Sequence, residues 1–372
     1  MILPEYMTAV LLTGHGGLEC LDVRHDVPVP RPGVGEVLIQ VAAAGINNTD
    51  INTRTAWYSK SVTTETADGG AGGFVDADGA DGSWSGTPLS FPRIQGADCC
   101  GYIVAVGEDV PKDRIGERVL VSTMLQSYVG DEPHACWTFG SECDGAFAQY
   151  AKAPASETYA VACDWSHVEL ASIPCAYSTA ENMLHRAAVG AERVLITGAS
   201  GGVGLAALQL AKRRGADVIA VTGRSKAKRL LEFGADRVID READLTSELG
   251  ENSIDVVVDL VAGPAWGALL TVLARGGRYA TAGAIAGPIV ALDVRTLYLK
   301  DLTFFGCTFQ DAVVFKNLIT YIERGEIRPV VEKTYPLGEI KKAQEDFLAK
   351  RHVGKLVLIP PEMSARRAAD PT

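Results

Sequence analysis

Residues 193–215, RVLITGASGGVGLAALQLAKRRG, constrain this chain more than any other stretch. Val194, Leu195 and Ile196 form a short apolar run. A glycine-rich turn follows, and an amphipathic segment from Val203 to about Arg214 stops at Gly215. This is the pattern of strand, tight turn and helix. The turn, Ala199-Ser200-Gly201-Gly202-Val203-Gly204, has the form A-x-G-x-x-G. Gly201 lets the backbone approach a diphosphate, and Gly204 lets the helix pack closely on the strand. Free N–H groups at the helix start attract the anion. Alone, such glycines mark only a tight turn. Between a strand and a helix, with another strand at 217–221, they read as a dinucleotide site.

The rest of the chain falls into two kinds of pattern. Residues 8–43 alternate short apolar runs with turns, and further strands are read at 96–110, 116–122 and 147–152. Many strands and little helix suggest a distorted barrel or sandwich. From about Glu169, helical segments alternate with apolar strands at 194–196, 218–221, 237–239, 255–260, 277–282 and 302–306. That series predicts a doubly wound parallel sheet, hence an α/β protein. A helix is read at 311–324, and strands at 330–335 and 355–359 could return to the first region. The tail from Pro361 is polar and reads as frayed.

Net charge −11 speaks against nucleic-acid and membrane-surface partners. No run of 18 apolar residues and no leader sequence are read. Eight irregularly spaced cysteines do not suggest a disulfide framework. The expectation is a cytoplasmic protein with reduced thiols. The 61–90 segment is rich in Gly, Asp, Ala and Ser and too long for an ordinary connection. Such loops are lids, binding loops or disordered. Asp76, Asp78 and Asp81 are spaced as in a calcium loop, but the closing glutamate is missing.

The motifs GINNTD (45–50), PRIQGADCCGYIVAVGEDV (92–110), GERV (116–119), CAYSTAENML (175–184), FGADRVID (233–240), GGRYATAG (276–283) and HVGKLVL (352–358), with the glycine turn, resemble the medium-chain dehydrogenases/reductases. The resemblance covers all but the 61–90 loop and the tail. It implies a GroES-like catalytic domain (1–165 and 311–372), a Rossmann domain (166–310) and an active site between them. Zinc members carry Cys where Asn47 stands, His-Glu where Ala97-Asp98 stands, and Cys where Cys175 stands. One candidate ligand of three remains, and an amide or alanine does not hold zinc. Cys136 and Cys143 alone do not make a structural zinc lobe. No metal is expected, although Asp98 beside Cys175 keeps the question open.

GINNTD followed by Tyr58 instead resembles the zinc-independent quinone oxidoreductase branch. The resemblance puts Asn47, Asp50 and Tyr58 at the nicotinamide end of the cleft, and Thr49 at the place of a proton-relay hydroxyl. Each has a plainer reading: Asn47 in a turn, Asp50 as a helix cap, Tyr58 as packing, Cys175 as a small core residue. The resemblance also brings Thr179, Val261, Gly283 and Lys355 to the cofactor, Lys355 near its phosphates. For Lys355 a strand-edge surface position is the other reading.

At the end of the second strand of the series, NAD sites place an acid that binds the ribose hydroxyls. Thr222 stands there, followed by Arg224, Ser225 and Lys226. The acid's repulsion of a 2′-phosphate is gone and two cations and a hydroxyl are at hand, which favours NADPH. The expected function is zinc-independent hydride transfer from NADPH to a quinone or α,β-unsaturated carbonyl. The other readings are a zinc-type alcohol dehydrogenase, an enoyl-thioester reductase and a non-catalytic NADPH-binding sensor. A homodimer through the 290–307 region is expected from the family.

Overall fold

The computed structural model describes residues 3–130 and 132–362. Two cores organise them. The apolar runs of the second half form a six-stranded sheet with spatial order Arg237–Asp240, Asp217–Thr222, Arg193–Ile196, Ile254–Asp259, Leu273–Thr281, Thr303–Gly306. Every pairing in it is parallel. The strands are apolar on both faces because helices cover both. The order reverses between Arg193–Ile196 and Ile254–Asp259, so the carboxyl ends of these two strands frame a crevice, where ligands of such sheets bind.

The first half builds a second core around the long strand Glu36–Gly45, which pairs antiparallel with Cys100–Val106, Tyr150–Pro154 and Lys355–Ile359. Met7, Leu12, Ile39, Phe139, Phe147 and Leu358 are among its buried members. The chain is thus α/β, with a GroES-like β-rich domain and a Rossmann domain.

The helix expected at 311–324 forms as Ala312–Glu323, but Phe315, Leu318 and Ile322 pack into the Rossmann core. The chain rejoins the first core only at Val331–Pro336, beside Lys355–Ile359. The expected boundary at 311 therefore comes too early. Its cause is the apolar face of this helix, which has to be covered by the layer nearest in sequence. Among the described residues no helix is long and apolar enough to cross a membrane.

The 61–90 loop is folded against both cores. Arg54, fully buried, donates to Gly70 O (2.5 Å), Gly16 O (2.7 Å) and Gln344 Oε1 (2.9 Å). Burial lowers its pKa to about 10. The Thr66 N–H donates to Ile285 O across the cleft (3.1 Å). The loop acids serve local turns: Asp81 accepts from the Lys60 N–H and Asp78 from the Ala80 N–H, both at 2.9 Å.

Candidate active site

Gly201 precedes the helix Gly202–Arg213, and no side chain caps it. The first-turn N–H groups are therefore left to a ligand. A Cβ on Gly201 would meet nothing nearer than Gly198 O at 3.5 Å, so the space above it is open on the protein side. Gly204 is different: its Cβ would lie 2.3 Å from Gly198 O and 2.6 Å from Ala199 Cα, the close helix–strand approach expected of it. The turn is thus a cradle that fits a diphosphate. Ala199 and Ser200 are buried beneath it, and Val203 is half-buried in the first helical turn. Val261 leans over Gly198, where a Cβ would be 3.3 Å from its Cγ2. Gly283 lies beside Leu260 at the neighbouring strand end. Thr179 is half-buried on Pro174–Arg186, the helix that begins beside Cys175.

Thr222 is buried at the end of its strand. Arg224 is 90% exposed and pairs with Asp240 at 3.1 Å, and Ser225 adjoins it in the short helix Arg224–Lys226. Lys226 is spent elsewhere: its Nζ donates to Lys350 O (2.6 Å) and His352 O (2.9 Å). Of the two expected phosphate cations, Arg224 is the one presented to solvent.

On the other wall, Asn47 precedes the helix Asn48–Thr55. Asp50 is 2% exposed, and its carboxylate accepts from the Asn47 N–H (2.7 Å) and the Ala97 N–H (3.3 Å). Burial, with the Asp98 carboxylate adding to it, pushes Asp50 up to about 7 against these N–H groups. Its geometry is that of a helix cap, not of a group facing the cleft. Tyr58 donates its hydroxyl to Thr49 Oγ1 (3.2 Å) and meets the Trp84 ring edge-on at 4.8 Å. Burial raises the Tyr58 phenol far above its ordinary value, so it stays protonated.

Lys355 corrects both of its readings. It is neither a surface lysine nor a free phosphate ligand: it is 3% exposed, and its Nζ donates to Ile46 O (2.9 Å), Asp98 Oδ2 (2.8 Å) and Asn47 Oδ1. Those three acceptors use all three ammonium protons. Asp98 Oδ2 also accepts from Asn47 Nδ2 (2.8 Å), and Asp98 Oδ1 accepts from the Cys175 N–H (2.6 Å). Asn47, Asp98, Lys355 and the backbone at Cys175 thus form one buried, neutralised cluster. Among the described residues no three His, Cys, Asp or Glu side chains converge as a metal site.

Two glycines make room for it. A Cβ on Gly45 would lie 2.3 Å from Asp98 Oδ2, and one on Gly202 would lie 2.8 Å from Lys355 Cδ. The sequence reading missed this cluster because its members are far apart in the chain; the glycine at 45 was the available sign. Trp84 was also missed. Near it lies a groove of about 670 Å³ lined by Trp84, Leu89, Val129, His134, Trp137 and Thr308, among others.

Family models describe residues 33–162 as an alcohol dehydrogenase GroES-like domain and residues 202–324 as a zinc-binding dehydrogenase. A quinone oxidoreductase of Lama guanicoe is 30% identical over 95% of this chain and 97% of its own. An acryloyl-coenzyme A reductase of Metallosphaera sedula is also 30% identical, over 95% and 99%. Among solved structures, a provisionally assigned alcohol dehydrogenase of Sinorhizobium meliloti 1021 is 47% identical over 96% and 98%, with a TM-score of 0.85. A mycobacterial protein in complex with NADPH is 27% identical over 95% and 100%, with a TM-score of 0.75.

Proposed function

The chain belongs to the medium-chain dehydrogenase/reductase superfamily and is an oxidoreductase of a nicotinamide cofactor; from that premise we propose that it reduces quinones or α,β-unsaturated carbonyls with NADPH and without catalytic zinc. The observation that carries this reading is the Asn47–Lys355–Asp98 cluster. A lysine ammonium beside the positions of the zinc ligands would repel a divalent cation. It leaves an amide donor where a Lewis acid would act.

The cradle at 199–204 would hold the diphosphate, Arg224 and Ser225 the 2′-phosphate, and Thr179, Val261 and Gly283 the nicotinamide end. Bound NADPH would supply the hydride, and the protein positions the acceptor and stabilises its developing oxyanion. Asn47 uses one amide proton on Asp98; the other has no protein acceptor among the described residues. It is the first oxyanion donor. Tyr58 donates to Thr49, which leaves the Thr49 hydroxyl proton free to hydrogen-bond the acceptor oxygen as a second oxyanion donor, while water supplies the proton that completes the reduction. The aromatic walls of the groove at Trp84 and Trp137 suit a planar ring.

A second reading, reduction of an enoyl-CoA, is favoured by the acryloyl-coenzyme A reductase relative. Against it, Arg93 in the groove is already paired with Asp144 (2.9 Å), leaving little charge for a coenzyme A phosphate. A panel of quinones, enones, aldehydes and enoyl-CoA, with NADPH or NADH and with or without chelator, decides. Turnover of quinone or enone with NADPH is expected to survive chelator. Arg224→Ala should raise the NADPH KM about tenfold, the loss of one charge-assisted contact, and leave the NADH KM alone. Chelator-sensitive activity or activity with NADH alone would overturn the reading.

The expected homodimer has a surface to use. Ile289, Val294, Tyr298 and Leu299 are each more than half exposed, beside the edge strand Thr303–Gly306. Such a cluster at a sheet edge marks an interaction site. Sedimentation velocity should give a dimer that Val294→Glu/Leu299→Glu converts to monomer; a wild-type monomer at micromolar concentration would refute this.

A further inference from the structure

Lys355 reaches from one half of the site to the other. Gly354 N–H donates to Ser200 O (3.0 Å), and Gly354 bridges to Gly201. The strand Lys355–Ile359 therefore starts against the glycine turn. From there the Lys355 stem passes over Gly202, where a Cβ would sit 2.8 Å from its Cδ. Its ammonium ends on Asn47 Oδ1 and Asp98 Oδ2. The amide of Asn47 is thus gripped at both ends, its oxygen by a cation and its nitrogen by an anion.

We infer that Lys355 and Asp98 are positioning residues for the Asn47 amide: together they fix its rotamer, and Lys355 draws charge from its oxygen so that its free N–H is a stronger donor. This deepens the proposed oxyanion role of Asn47 and rests on it. An amide whose oxygen receives a hydrogen bond from a cation has a more acidic N–H, and hydrogen bonds in series strengthen one another. The buried setting amplifies this, since water does not screen the ammonium. The cluster does for an amide what a ligand sphere does for a metal: it sets orientation and electrophilicity together. Because every Lys355 proton is already used within the protein, its contribution is to the acceptor side and not to cofactor affinity.

The test compares wild type, Asn47→Ala, the charge-neutral pair Lys355→Met/Asp98→Asn, and the triple variant. The neutral pair removes both charges at once, so neither Lys355 nor Asp98 is left as a buried charge without its partner. Expected are a kcat about tenfold lower for the neutral pair, an NADPH Kd within twofold of wild type, and no further loss when the pair is added to Asn47→Ala. An equal loss in both backgrounds, or an NADPH Kd weakened tenfold, would overturn the inference. Crystal structures of wild type and the neutral pair give a readout independent of turnover. The Asn47 side chain should rotate out of its wild-type rotamer in the pair, and an unmoved side chain counts against the inference. If wild type reduces no acceptor of the panel, the oxyanion reading fails, while the rotamer comparison still decides the positioning.

Discussion

Lys355→Met alone should be among the most destabilising single substitutions in this protein, by about 3–5 kcal/mol, because it strips a buried carboxylate of its counter-charge. The Lys355 and Asp98 side chains are 4% and 0% exposed and 2.8 Å apart. Methionine replaces the stem that packs on Gly202, so little packing is lost and the effect isolates the charge. Asp98 would keep the Asn47 Nδ2 and Cys175 N–H donors, but neither carries charge. For domains of this size each kcal/mol shifts Tm by about 2–4 °C, so a fall of at least about 6 °C is expected in a thermal melt. Lys355→Met/Asp98→Asn should recover most of it, since replacing a whole buried ion pair is often nearly neutral. A single variant melting within 2 °C of wild type would mean that the pair is not buried in solution as described.

The same cluster marks the limit of what could be read from residues alone. The Rossmann strands and the turn at 199–204 were legible because their signals are local. An apolar run, a glycine spacing and an amphipathic stretch lie within 23 residues, and hydrophobic period and backbone freedom fix them without reference to the rest of the chain. The C-terminal strand was legible for the same reason and forms as Lys355–Ile359. Lys355 itself was misplaced because a strand's first residue can point to water or to the core, and its partners are 308 and 257 residues away in sequence. Gly202 looked like a cofactor glycine, but the nearest thing its absent Cβ makes way for is the Lys355 stem. Asp50 shows the converse. Its helix-capping alternative was available from GINNTD, because an acid three residues after an asparagine satisfies the N-terminal amides at short range. The loop at 61–90 has no period to read. Its order comes from contacts such as Arg54 with Gly70 and Thr66 with Ile285, which only the folded chain brings together.

Asn47→Ala should lower kcat about 10²–10³-fold if its free amide N–H sits on the developing oxyanion, the range found when one such donor is lost. NADPH affinity should hardly change, because the cradle at 199–204 and Arg224 belong to the other domain. Alanine also removes an acceptor from Lys355 and a donor from Asp98, so a slow variant could be a distorted one. Asn47→Asp separates the two. Aspartate keeps the shape and keeps an acceptor for Lys355, but it has no N–H and sets a second carboxylate beside Asp98. If Asn47 acts as a donor, Asp must be as slow as Ala, even though it fills the space. If Asn47 only packs, Asp must approach wild type. Single-turnover reduction of a quinone at saturating NADPH measures this directly. An Asp variant within fivefold of wild type would move the oxyanion role to the Thr49 hydroxyl, whose hydrogen bond from Tyr58 does not involve Asn47. The same outcome would leave the Lys355–Asp98 pair a structural device, since the only group through which it reaches the acceptor would have proved dispensable.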